Sequence, residues 1–103
     1  MIVTITARHG AIPDQLKERA GEIVERLGRI AHRPTSAHVT FDMEGPGASC
    51  EIVINAAGGH VHVAKAAAED HRSALDLVER KLRRQLDKVE KPVAKVRRKA
   101  ASR

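Results

Sequence analysis

The chain has 103 residues, 19 Lys and Arg against 13 Asp and Glu, and a net charge of +6, with 42% hydrophobic residues but a single aromatic, Phe41. That length suits one domain with one modest core, and the apolar content argues against a disordered chain. One aromatic argues against binding of single strands by base stacking, and one cysteine, Cys50, against a disulfide framework or a four-cysteine zinc site.

A small domain this basic commonly meets nucleic acid, an anionic membrane or an acidic protein. The N-terminal stretch MIVTITARHG lacks a basic segment followed by a long apolar one, and no apolar run approaches spanning length. A reduced, cytoplasmic location is therefore expected, with no membrane partner.

Ile2 to Arg8 reads as a strand, because Val3, Ile5 and Ala7 alternate with Thr4, Thr6 and Arg8. Gly10 breaks it, and Pro13 with Asp14 opens a helix. This first helix is predicted over 13–31, with Leu16, Ala20, Ile23, Val24, Leu27 and Ile30 as its buried stripe. Arg19, Arg26, Arg29 and Arg33 make one flank arginine-rich, relieved by Glu18, Glu22 and Glu25.

Pro34 ends that helix. A second strand follows over 37–43, with Ala37, Val39, Phe41 and Met43 on one face and His38, Thr40 and Asp42 on the other. Glu44-Gly-Pro-Gly-Ala48 is a turn by composition, and 49–56 a third strand with Cys50, Ile52 and Ile54 inward. Gly58-Gly59 makes a tight turn into a fourth strand over 60–66, with Val61 and Val63 expected inward.

The run 69–90, EDHRSALDLVERKLRRQLDKVE, is a second helix with the apolar stripe Ala74, Leu75, Val78, Leu82, Leu86 and Val89. Lys81, Arg84 and Lys88 fall at i, i+3, i+7 and so lie along one face, about one turn apart. The last residues, KPVAKVRRKAASR, carry six basic side chains and read as a basic disordered tail over 92–103.

The order β-α-β-β-β-α predicts an α+β domain over 1–91. Short loops make the last three strands an antiparallel meander. The helical crossover lets the first strand pair in parallel with the second, giving a four-stranded mixed sheet with two helices on one face.

The sequence offers no catalytic constellation. It has no Gly-rich phosphate loop, and Cys50 alternates onto the apolar face. His60 and His62 are two apart on a strand, so both are expected on one face, and with His38 on that face they would form a three-imidazole metal site if the strands are adjacent. A polar open sheet face is the favoured account of the same residues, with no cofactor and no metal. What remains is charge: Arg19, Arg26, Arg29, Arg33, Lys81, Arg84 and Lys88 are expected to merge into one RNA-binding surface on the helical layer.

Three segments carry a family resemblance: ITARHGAI, the helix from Leu16 to Leu27, and above all DHRSALDLVERKLRRQLDK. In the last, Asp70, Ala74-Leu75-Asp76, Lys81-Leu82, Gln85-Leu86 and Lys88 match a fairly specific pattern. With the strand order they resemble the ribosome hibernation-promoting factor and ribosome-associated inhibitor family, in its short form, also called sigma-factor modulation proteins.

The resemblance implies a fold similar to a double-stranded RNA-binding domain with an added strand. It implies a non-enzymatic protein that binds the small ribosomal subunit and its rRNA in the messenger channel and the A and P transfer-RNA sites. There it would compete with mRNA and tRNA and store inactive ribosomes under stress or in stationary phase. It assigns rRNA contacts to Arg26, Lys81, Arg84 and Lys88, and no small-molecule substrate. Where Ile23 stands the family usually has a lysine, which moves the expected first-helix contact to Arg19 or Arg29. The alternative is a general double-stranded RNA-binding module without ribosome specificity.

Overall fold

The alternation of apolar and polar residues becomes a sheet of four strands: β1 (Ile2–Ala7), β2 (Pro34–Glu44), β3 (Gly47–Ala56) and β4 (His60–Ala68). Two helices, α1 (Asp14–Ile30) and α2 (His71–Glu90), complete the order β-α-β-β-β-α. The computed structural model describes residues 1–90, with side chains to Lys88; the basic tail predicted over 92–103 and the stripe position Val89 lie outside what is described.

The sheet runs β1-β2-β3-β4. β1 pairs β2 in parallel through the α1 crossover, and the other two pairs are antiparallel. The β2–β3 hairpin turns through Gly45 and Pro46, with Gly45 at φ 56 as a primed two-residue loop requires. At the other end Gly58 and Gly59, at φ 80 and 77, carry a short 3₁₀ turn over Ala57–Gly59. Both helices lie on one sheet face, α1 over β1 and β2, α2 over β3 and β4.

Elements are close to their predicted bounds, with physical reasons for the differences. α2 begins at His71 because Asp70 is its cap: the Asp70 carboxylate accepts the Ser73 N–H at 2.7 Å, so Asp70 stands outside the helical turns. Pro34 opens β2 as well as ending the helical run, since a strand's first residue can forgo its N–H. β2 is longer than predicted, and Met43, expected inward, is 48% exposed near the end of the strand.

The clearest correction concerns β4. Val61 and Val63 are exposed, and His62, Ala64 and Ala66 are the buried set. Register enforces this, because Ile54 faces His62, Ile52 faces Ala64 and Cys50 faces Ala66. Burying Val61 and Val63 would also bury Lys65, which shares their side of the strand, and an unpaired buried ammonium costs far more than two exposed valines.

Leu75, Val78, Leu82 and Leu86 of α2 are fully buried with Ile23, Val24 and Leu27 of α1 against Val39, Phe41, Cys50, Ile52 and Ile54 of the sheet. Each such aliphatic side chain is worth about 1.5–3 kcal/mol of transfer free energy.

Candidate nucleic-acid interface

Seating α2 on its apolar stripe leaves it two flanks of different chemistry. One carries Lys81, Arg84, Gln85 and Lys88 and looks along the β4 edge of the sheet. The other carries Asp76, Glu79 and Arg83 and looks onto α1, as the ion pairs below establish.

On the β4 side, Lys65, Lys81, Arg84, Gln85 and Lys88 line a shallow groove of about 420 Å³ floored by Ala64. β4 is an edge strand, so its outward main-chain carbonyls need partners. Lys81 Nζ donates to the Lys65 carbonyl at 3.0 Å, and Gln85 Nε2 donates to the Val63 carbonyl at 3.1 Å. These two bonds hold α2 against the edge and fix two groove side chains in place. Among the described residues, Lys81, Arg84 and Lys88 have no carboxylate within 4.0 Å. Lys65 has one distant and largely solvated partner, Glu44 at 3.8 Å.

On the α1 side the arginines are engaged. Arg19 Nη2 donates to Asp76 at 2.9 Å, which raises the guanidinium's already high pKa, chiefly through that hydrogen bond. Glu79, only 15% exposed, receives Arg26 at 3.5 Å and Arg83 at 3.1 Å. Arg26 and Arg29 also border a hollow of about 510 Å³, but Glu22 and Glu25 share it, so its charge is mixed. Arg33 stands apart at the α1–β2 connection at φ 54, a left-handed conformation uncommon outside glycine, with its carbonyl accepting the Ala57 N–H at 2.9 Å.

The seven predicted cations therefore do not form a single lined surface. Lys81, Arg84 and Lys88 come together; Arg19 and Arg26 pair across the seam between the helices, Arg29 borders the mixed-charge hollow that α1 shares with Val3 of β1, and Arg33 stands in the loop. Ile23 is fully buried and presents nothing to a ligand. Sequence reading missed Lys65 and Gln85. The alternation along β4 puts Lys65 outward, but its nearness to α2 follows only from the strand order, and Gln85 is a motif residue whose role was blank.

The histidines do not converge. His38 lies on the open sheet face opposite Val53, where Thr6 Oγ1 is 2.9 Å from its Nε2. His62 lies opposite Ile54 on the helix-covered face and is 5% exposed. Successive β3 residues point to opposite faces, so His38 and His62 are on opposite sides of the sheet, against the expectation of one imidazole cluster. Among the described residues no three His, Cys, Asp or Glu side chains are grouped to hold a metal ion.

Cys50 is buried and its thiol is pushed up to about 12 by that burial, which suits a core residue. Asp42 is held below the usual carboxylate range by its hydrogen bonds with His9 and with its neighbour's N–H at Met43, and ties the end of β1 to β2.

Comparison with known proteins bears on this geometry. A family profile described as "Sigma 54 modulation protein / S30EA ribosomal protein" matches residues 3–93. Among solved structures, a ribosomal subunit interface protein from Coxiella burnetii superposes with a TM-score of 0.75 at 22% identity, over 87% of this chain and 98% of that one. The N-terminal domain of Protein Y from Thermus thermophilus gives a TM-score of 0.73 at 21% identity, over 86% and 99%. Comparison with the curated proteins gives no match. No helix among the described residues is long and apolar enough to cross a membrane.

Proposed function

Because this chain belongs to the sigma 54 modulation protein / S30EA ribosomal protein family, we propose that it is a ribosome hibernation factor. It binds the small ribosomal subunit in the messenger channel and across the A and P transfer-RNA sites. It excludes mRNA and tRNA there and keeps ribosomes idle in the cytoplasm under stress. No turnover is involved; occupancy is the activity.

One observation carries the reading: the groove at the β4 edge holds Lys81, Arg84 and Lys88 without carboxylate partners among the described residues, and Lys65 joins them from the sheet. Cations not already neutralised by acids are the ones free to release counterions from a phosphate backbone. The spacing of Lys81, Arg84 and Lys88 along one helical flank follows a strand of phosphates, and Lys65 adds a second row. Specificity then comes from the shape of a folded RNA channel, since the groove has few groups able to read base edges. The description of the Coxiella burnetii protein as a ribosomal subunit interface protein supports the same partner.

Sedimentation tests this directly. The protein should travel with small subunits and intact ribosomes through a sucrose gradient at low salt, and be displaced by messenger RNA with initiator tRNA. Protein that stays at the top of the gradient overturns the proposal. Displacement by isolated duplex RNA, and not by mRNA with tRNA, favours the general double-stranded RNA-binding module.

A further inference from the structure

The groove's charged groups share one limitation. Lysine and arginine side chains only donate hydrogen bonds. They bind phosphate equally well on RNA and on DNA. Gln85 is the exception in that lining, and its orientation is settled by its partner. The Val63 carbonyl can only accept, so the end of the amide 3.1 Å from it must be the Nε2 amino group. The Oε1 oxygen is thereby left without a hydrogen-bond partner among the described residues, on an exposed side chain that lines the groove with Lys81, Arg84 and Lys88. A fixed acceptor stands within a row of donors.

We infer that Gln85 is the residue by which this protein tells RNA from DNA, its Oε1 accepting the 2′-hydroxyl of a nucleotide whose phosphates lie on the neighbouring cations. The 2′-hydroxyl is the one sugar group that distinguishes the two nucleic acids, and it can donate. A phosphate offers Oε1 nothing, since it is itself an acceptor. Deoxyribose leaves Oε1 facing only water. The bond to Val63 matters because a free glutamine would spend rotamer freedom on each contact, whereas this one is already placed. The inference rests on the proposed phosphate groove and adds sugar recognition to it.

The test uses an RNA hairpin and the same hairpin with 2′-fluoro sugars, which keep the A-form pucker and lack the donor. At low salt the full-length protein should bind the hydroxyl form about threefold to tenfold more tightly, the size of one net hydrogen bond. Gln85→Met, of similar length and apolar, should bind both hairpins equally, at close to the wild-type affinity for the fluoro form. A purely structural Gln85 would lower the melting temperature without moving that ratio, so a melting curve accompanies each measurement. A wild-type ratio near one, or a ratio unchanged in Gln85→Met, overturns the role of Gln85 and leaves the groove standing. Failure to bind either hairpin overturns the phosphate groove and this inference with it. Should Gln85→Met not fold, equal binding of the two hairpins by the wild type still overturns the inference.

Discussion

The two flanks of α2 differ in chemistry, and each meets basic side chains in a different way. Towards α1, Arg19 and Arg26 reach across to Asp76 and Glu79 and hold two helices together. Towards β4, Lys81 and Gln85 reach for main-chain carbonyls, which leaves the net charge of Lys65, Lys81, Arg84 and Lys88 facing outward. A carbonyl fixes a lysine without neutralising it; a carboxylate does both. Counting basic residues on a helix therefore overstates its capacity for phosphate, and the count that matters excludes those already bound to acids.

The largest expected effect comes from reversing the charge of the groove. Lys81→Glu, Arg84→Glu and Lys88→Glu together should weaken ribosome binding by at least ~100-fold, since three favourable phosphate contacts become repulsive. Arg84 and Lys88 are exposed and without carboxylate partners among the described residues, so the loss of stability should come from the Lys81 bond to the Lys65 carbonyl and be no more than about 0.5–1.5 kcal/mol. Unchanged co-sedimentation of that variant would end the assignment of the groove.

Salt dependence sharpens the comparison further. Four groove cations predict a slope of log K against log salt of about −3 to −4, whereas contacts by all seven cations expected from the sequence would give about −5 to −6. Lys65→Ala should reduce the slope by about 1, and Arg26→Met should leave it alone. Equal effects of the two substitutions would erase the distinction between seam and groove.

Glu79→Gln probes the seam from the other side. Removing the shared carboxylate of Arg26 and Arg83 should lower stability by about 0.5–1 kcal/mol, as for other partly exposed pairs, and raise RNA affinity less than ~threefold. A tenfold gain would mean that Arg26 competes for phosphate once released.

The smallest effect concerns the cap of the helix that both flanks share. The Ser73 N–H holds the Asp70 carboxyl below its ordinary range, so its folded pKa is depressed relative to the unfolded chain. Its contribution is complete above the unfolded value of about 4 and is lost as pH falls through the folded one. Asp70→Asn keeps a capping oxygen and does not titrate, so denaturation series between about pH 2 and 6 should show a shallower acid loss than in the wild type. Identical acid limbs would remove Asp70 from that role.

Much was legible from residues alone. The order of elements, the apolar stripes of both helices and the inward set Cys50, Ile52 and Ile54 follow from period and turn chemistry, which act over a few residues. The pattern from Asp70 to Lys88 carried the family. What escaped is non-local. A strand's period of two defines two faces without saying which is covered, and β4 was turned over by its register with β3 and by the charge of Lys65. Arg19 and Asp76 are 57 residues apart in the chain, and Arg26 and Glu79 are 53 apart, so no window of sequence could mark those arginines as engaged. Local propensity builds the helices and strands; only packing decides which charges meet an acid, which meet a carbonyl, and which are left to face a ligand.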